Sequence, residues 1–497
     1  MLHVVSCEEM RAMDAHTIKN LKVPSAVLME RAALSIAEEV TAALKTHPGR
    51  ILIVCGTGNN GGDGAALARI LFIKGIKADL LIAGNEERFS ADMKAQMESC
   101  RALGVREVQD PDMRVYSIIV DAIFGTGLTR EVTGSARVLI EKMGDAGAFV
   151  IAADIPSGIS GDTGAVCGCA VKADVTVTME CAKTGQLLYP GALYTGRLII
   201  AEIGIFDDEK LRGTLPFTAF SLEDHDIGKL LPARDPAGNK GTFGKVLVIA
   251  GLKGMCGAAL LAGEAALRSG AGMVKIMTNE ANRTIVQTAF PEALLSVYRK
   301  KEEIPELIRE NLAWADAVAV GPGLGNSKKT RLIVETLLNE CGKPLVIDAD
   351  GLNVIGGDTD LLSRHEGPLY ITPHMGEMAR LSGKTIVDLK ADPVGSALEY
   401  AGASGAQVLL KDARTVIADK NGTVFINTSG NAGMATAGSG DVLSGILAGF
   451  LAQGADPAYA GALAAFVHGK AGDRAREING ERGMTASDII RALSKII

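Results

Sequence analysis

Short apolar runs recur along the chain, and most of them end in a glycine or an acidic residue. In the first half they are Ile51–Cys55 before Gly56, Ala78–Ala83, Ile118–Val120 before Asp121, and Phe149–Ala153 before Asp154. Helix-like stretches such as Ala65–Ile73 and Ser90–Leu103 lie between them. Strands that are apolar throughout are buried on both faces. Their alternation with helices predicts a parallel sheet covered on each side. The rhythm fails between Gly204 and Glu223, where Leu215-Pro-Phe-Thr-Ala-Phe reads as a connector. It resumes at Lys245–Ala250 and recurs at Ala317–Val320, Leu345–Ile347, Leu369–Ile371 and Val408–Leu410. No repeat relates the two halves, so the pattern predicts two unlike α/β domains, at residues 1–217 and 222–497.

Composition agrees and removes several classes of function. A chain of 497 residues is too long for one ordinary domain, and its 59 glycines suit tight strand–helix loops. A formal charge of −7 leaves no electrostatic footprint for nucleic acid or an anionic membrane. The eight cysteines are scattered, apart from Cys167-x-Cys169, which predicts reduced thiols and a cytoplasmic protein. The start, Met1-Leu-His-Val-Val-Ser-Cys, has no basic region or long apolar core, so no signal peptide is expected. Charges or glycines interrupt every apolar run before it reaches membrane-spanning length.

Candidate chemistry begins near the C-terminus. Asn431-Ala-Gly-Met-Ala-Thr-Ala-Gly-Ser-Gly440-Asp441 runs directly into the apolar helical stretch Val442–Leu451. Glycines let several N–H groups converge, and the helix adds the positive end of its dipole, which makes a seat for phosphate oxygens. Asp441 stands at its mouth, where a carboxylate can take a proton from a hydroxyl. A loop that merely caps a helix is the plain alternative.

A second glycine loop, Gly56-Thr-Gly-Asn-Asn-Gly-Gly-Asp-Gly64, follows a strand and opens a helix. Gly56, Gly58 and Gly61 satisfy the dinucleotide pattern G-x-G-x-x-G, with Glu86 or Glu87 at a plausible distance for a ribose contact. Asn59, Asn60 and Asp63 argue against that reading, because they put amide and carboxylate groups where close apolar packing is usual. Such oxygens suit a hard cation as well as phosphate. Asp121-Ala-Ile-Phe-Gly-Thr-Gly-Leu128 and Asp154-Ile-Pro-Ser-Gly158 end two further strands, and such ends line one crevice in an open parallel sheet.

These three motifs in this order, with Glu9-Met-Arg-Ala-Met-Asp14 and Leu28-Met-Glu-Arg-Ala32 before them, resemble the NAD(P)H-hydrate epimerase family over roughly residues 5–215. The resemblance implies that Asn59, Asn60, Gly61, Gly62 and Asp63 hold the hydrated dinucleotide, together with Gly125, Thr126, Gly127, Leu128, Thr129, Arg130 and Glu131. It also implies a potassium ion on Asn60, Asp121 and Ser157, with Asp154 touching substrate. Asp154 is the expected acid/base, as the carboxylate not assigned to the cation. One departure is Ala32-Ala33, where Ala-Gly is expected.

The second half carries Gly321-Pro-Gly-Leu-Gly325, Asp348-Ala-Asp-Gly-Leu-Asn353, Thr372-Pro-His-Met-Gly-Glu377, Lys411-Asp-Ala-Arg-Thr415 and the glycine turn before Asp441. Singly, His374 reads as a surface residue, Lys411 as a possible exposed strand end and Asp348 as a turn former. In this order they resemble the ADP-dependent NAD(P)H-hydrate dehydratase family over about residues 222–497. By that resemblance Lys411, Asp412, Ala413, Arg414, Thr415 and Gly440 hold the adenine nucleotide, while Ala258, Gly323, His374 and Asp441 face the hydrated nicotinamide. Asn239 stands where His is usual, and Met375 replaces a Pro after His374, which frees the backbone there.

The expected fold is therefore α/β in two domains, an N-terminal Rossmann-like three-layer parallel sheet and a C-terminal ribokinase-like domain. The expected function is metabolite repair: epimerisation of the R and S hydrates of NADH and NADPH (NADHX and NADPHX), then dehydration of the S form with ADP as co-substrate. Asp154 and Asp441 are the expected catalytic residues, with K⁺ and Mg²⁺ as cofactors. A homo-oligomer is expected from the resemblance. The rival is a ribokinase-like small-molecule kinase carrying a non-catalytic N-terminal binding domain.

Overall fold

A computed structural model describes residues 1–206 and 218–497. The chain divides into two compact units, with the division between Ala219 and Phe220. The connector expected at 215–220 lies partly outside the described residues, and Thr218–Ser221 is a strand rather than an irregular link.

In the N-terminal unit seven parallel strands run in the order Arg106–Val108, Ala78–Ile82, Ile51–Cys55, Ile118–Ala122, Phe149–Ala153, Val175–Met179 and Arg197–Ala201. Side chains alternate across this sheet into two cores. Ile51, Ile53 and Cys55 pack with Ile36, Val40, Leu67 and Met97, while Leu52 and Val54 pack with Ile140 and Met143 on the opposite face. Both faces are covered, which is why the strands read as unbroken apolar runs. Ala33 is fully buried in helix Ser25–Ala43, so the extra methyl there is absorbed into packing. After Ile51–Cys55 the chain builds outward to one side, then returns beside it as Ile118–Ala122. That reversal opens a crevice at the strand ends.

The C-terminal unit repeats this logic with different parts. Its order is Leu294–Tyr298, Met273–Asn279, Lys245–Ile249, Ala317–Val320, Leu345–Ile347, Leu369–Ile371, Gln407–Leu410, Val416–Ala418 and Thr423–Ile426. Strands are parallel as far as Gln407–Leu410, and the last two are antiparallel. The reversal falls between Lys245–Ile249 and Ala317–Val320. Helix Ser439–Ala452 lies close against helix Cys256–Arg268, because a Cβ on Gly445 would come within 2.1 Å of the Ala262 carbonyl oxygen. This contact fixes the helix whose first turn carries Asp441. Among the described residues no helix is long and apolar enough to cross a membrane.

Candidate functional site

The N-terminal crevice is a cavity of about 610 Å³. The glycine loop supplies Gly56, Asn59, Asn60 and Asp63, and the next strand end supplies Gly125, Thr126, Gly127 and Leu128. Helix Asn59–Ile73 starts inside the loop, earlier than the expected Ala65, so Asn59–Asp63 form its first turn. Gly61 and Gly62 serve as close-packing positions against Gly56 and Met29 and do not line the cavity. Thr129, Arg130 and Glu131 are exposed and do not line it either. Glu86 forms an ion pair with Arg101, Glu87 N donates to Asn85 Oδ1 in a local turn, and neither lines the cavity, which counts against the ribose contact of the plain dinucleotide reading.

Beneath the loop Asp121 is completely buried. Its carboxylate accepts from Ser157 Oγ at 2.6 Å and from Ser157 N at 2.7 Å, and Ser157 Oγ accepts from Phe124 N at 2.9 Å. Burial raises the Asp121 pKa to about 6 although these bonds oppose the rise. The Asn60 amide is buried with no hydrogen-bond partner on either atom.

Asp154 has φ +65°, a region that non-glycine residues rarely occupy. A free carboxylate is expected there. Instead its Oδ1 is 2.6 Å from the Nζ of Lys183, a fully buried residue that belongs to none of the sequence motifs. The available signal is a lone cation shortly after the buried strand Val175–Met179. Asp14 and Asp92 also line the cavity. Burial, then the charges of Asp154, Asp14 and Asp92, push the Asp63 pKa well above the usual carboxylate range.

In the C-terminal unit Gly438 caps helix Ser439–Ala452 at φ +89°, and Asp441 falls in the first turn, one step further into the helix than expected. Lys411 is not an exposed strand end. Its Nζ is 2.9 Å from Asp348 Oδ1, and Ser444 Oγ donates to Asp348 Oδ2 at 2.7 Å. Burial opposes the charge on Lys411, but Asp348 and Glu377 outweigh it and hold the pKa above that of free lysine. Burial, then Asp348 and Asp350, raise Asp441 to about 7 against the pull of Lys411. Burial and Lys411 also lower His468 to about 4; its Nε2 lies 3.3 Å from Ser439 Oγ at the start of the same helix.

Gly323 sits against Ala258, as a Cβ added at its φ of +60° would come within 3.0 Å of the alanine methyl. His374 is exposed, yet it is not a loose loop residue. Its Nδ1 accepts from Gly376 N at 2.9 Å, and Glu377 Oε2 accepts from His374 N at 2.8 Å. This capping box holds the turn that loss of proline is expected to loosen. Asp412 and Ala413 are exposed in the turn that follows Lys411, Arg414 donates to the Thr428 carbonyl, and Thr415 O accepts from Asn427 N at 2.9 Å. Asn239 is exposed, with Oδ1 accepting from Gly241 N at 2.8 Å within its own turn.

A cavity lined by four carboxylates, Asp14, Asp63, Asp92 and Asp154, in one unit, and a glycine turn close to Lys411, Asp348 and Asp441 in the other, are the marks of a two-site α/β enzyme. Comparison with known proteins names its kind. Residues 246–495 match the family model described as NAD(P)H-hydrate dehydratase, and residues 25–185 match that of the YjeF-related protein N-terminus. The bifunctional NAD(P)H-hydrate repair enzyme of Moorella thermoacetica is 38% identical over all of this chain and 97% of its own length. Its counterpart from Thermofilum pendens is 37% identical over all of this chain and 96% of its own. Among solved structures, the ADP/ATP-dependent NAD(P)H-hydrate dehydratase of Bacillus subtilis, co-crystallised with ATP and Mg²⁺, is 30% identical. It matches with a TM-score of 0.50 over 56% of this chain and 96% of its own. The chain belongs to the family of bifunctional NAD(P)H-hydrate repair enzymes.

Proposed function

We infer that the two sites act in turn on hydrated NADH and NADPH. The chain is a bifunctional NAD(P)H-hydrate epimerase and ADP-dependent NAD(P)H-hydrate dehydratase. The observation that carries this reading is the likeness to repair enzymes across the whole chain, not one half alone. A kinase with an inert binding domain leaves the cavity of the first half without a task.

In the epimerase site Asp154 and Asp63 are suited to move protons. Opening the hydrated ring breaks the bond between its nitrogen and the hydroxyl-bearing carbon. Asp154 takes the hydroxyl proton as that carbon becomes an aldehyde, and Asp63, whose pKa burial and the neighbouring carboxylates push up, is suited to give a proton to the nitrogen. Closure on the opposite face reverses both transfers. Asn60, Asp121 and Ser157 fit a potassium ion: the buried Asn60 amide lacks partners, Asp121 has no cation partner among the described residues, and each of the three side chains offers an oxygen. Bound there, potassium would balance the buried Asp121 charge and tie the Phe124 loop to the glycine loop.

In the dehydratase site the terminal phosphate of ADP is received by the N–H groups at Gly438–Gly440, with Lys411 beside them. Asp441 takes the proton of the ring hydroxyl as its oxygen accepts the phosphoryl group and AMP leaves. Phosphate then departs with the carbon–oxygen bond, and loss of a proton from the neighbouring ring carbon restores the dihydropyridine. Asp348 is already held by Lys411 and Ser444, so Mg²⁺ fits as an ion held chiefly by the nucleotide's own phosphate oxygens. All eight cysteines are free, which supports a cytoplasmic setting.

The test follows the return of dihydropyridine absorbance from a mixture of hydrate epimers with ADP, or with ATP, and Mg²⁺. Wild type should recover both epimers, Asp441→Ala neither, and Asp154→Ala only the S form beyond the spontaneous rate. Stable phosphorylated product with no recovered absorbance would instead establish the kinase.

A further inference from the structure

Lys183 is held unusually firmly for a cation with no exposed surface. It ends the pair Ala182–Lys183, which runs parallel to Leu2–Val5 with Val5 opposite Lys183. Its Nζ reaches Asp154 Oδ1 at 2.6 Å, Thr178 Oγ1 at 2.8 Å and the Met179 carbonyl at 3.0 Å, which uses all three ammonium protons. Asp154 Oδ1 also accepts from Thr178 Oγ1 at 3.2 Å and Met179 N at 3.3 Å. Gln186 ties the two backbones together, donating to Asp154 O at 2.6 Å and accepting from Lys183 N at 2.8 Å.

The two oxygens of Asp154 are therefore unlike. Oδ1 has three donors. Oδ2 has no hydrogen bond among the described residues and faces the Gly125 side of the cavity, 3.2 Å from where a Cβ on Gly125 would lie. A buried ion pair is a poor device for stability alone, since apolar replacements of similar volume often serve as well. Here the pair also has a left-handed Asp154 backbone to support, a feature that collects at working sites.

We propose that Lys183 is the positioning residue of the epimerase site, clamping Asp154 through Oδ1 so that Oδ2 alone exchanges the proton with substrate. The inference rests on the epimerase reading above. Lys183 acts through Asp154 and does not itself touch the reacting atoms, because its three protons are committed elsewhere.

Lys183→Met should lower kcat for epimerisation about 100-fold, the size of effect that misplacing a reacting group produces, with KM changed by less than about 2-fold. Lys183→Ala should regain activity with added ethylammonium ion and not with ethanol, a distinction that a merely space-filling role would not make. Asp154→Asn combined with Lys183→Met removes both buried charges together, so it avoids the unpaired ion that threatens folding of either single variant. This double variant should be no slower than Asp154→Asn alone. Full kcat in Lys183→Met overturns the proposal, as does a double variant more than about 10-fold below Asp154→Asn, which would give Lys183 a role independent of Asp154. If the epimerase reading itself fails, wild type will epimerise no faster than buffer, an outcome distinct from either.

Discussion

Lys411 Nζ and Asp348 Oδ1 lie 2.9 Å apart directly under Gly440, where an added Cβ would come within 3.2 Å of the ammonium nitrogen. The pair joins the end of strand Gln407–Leu410 to the end of Leu345–Ile347 and reaches helix Ser439–Ala452 through Ser444. It thereby supports the glycine turn proposed to receive phosphate. Lys411→Met would leave Asp348 buried without its cation, and breaking such a pair typically costs about 3–5 kcal/mol. The expected outcome is a clear fall in the melting temperature of the C-terminal unit and loss of ADP binding, with epimerisation unaltered. Calorimetric unfolding beside an ADP titration checks it; wild-type ADP affinity in this variant would remove Lys411 from the nucleotide site.

Asp441 gives a signed pH dependence. Its pKa rises from 3.8 to about 7 in the fold, chiefly through burial. A carboxyl with a raised folded pKa contributes stability that is whole below about pH 4 and lost as pH rises through about 7. Above that pH the fold carries the cost of the ionised group, roughly 1.4 kcal/mol for each factor of ten by which folding strengthens proton binding. Asp441→Asn should therefore be more stable than wild type at about pH 8, and no more stable at about pH 4. If Asp441 is the base proposed above, it works only when ionised, so kcat/KM for dehydration should climb with pH through about 7 and reach a plateau. A variant melting below wild type at the higher pH would contradict the buried-carboxylate account.

The strands nearest the sites are legible in the sequence because burial on both faces writes them as plain apolar runs. Ile51–Cys55, Phe149–Ala153 and Ala317–Val320 have the residues the pattern predicts. Strands such as Val175–Met179 and Thr423–Ile426 escape that pattern, since threonines break the former's run and the latter belongs to an antiparallel ladder. The helices that begin at Asn59 and Ser439 read as starting late, because glycine-rich first turns lack apolar periodicity. The motif residues are legible as types at spacings. What spacing does not reveal is pairing: Lys183 with Asp154, and Lys411 with Asp348, meet only when the fold brings residues far apart in sequence together.

Asn60 offers a test of the potassium site. Its amide is buried and unpartnered, a costly state for a polar group unless a ligand satisfies it. Asn60→Leu keeps the volume and removes the donor oxygen. Epimerisation by wild type should rise when KCl replaces tetramethylammonium chloride at equal ionic strength. The Asn60→Leu variant should show low activity in either salt, and its dehydratase activity should be unchanged. Equal potassium activation of the variant would move the ion elsewhere.

His374 has one role the structure shows and one that substitution can test. Its Nδ1 caps helix Met375–Ser382 by accepting from Gly376 N and Glu377 N, and the rest of its ring is exposed. Asn is among the best capping residues, whereas Ala supplies no acceptor and typically costs about 1 kcal/mol. His374→Asn should therefore melt close to wild type, and His374→Ala should melt lower. If the ring contacts the hydrated nicotinamide, both variants should raise KM for the hydrate to a similar degree. If His374 matters only as a cap, His374→Asn should keep the wild-type KM while His374→Ala does not. Measuring melting temperature and hydrate KM on the same two variants decides between them, because stability follows the acceptor at Nδ1 and substrate affinity follows the ring.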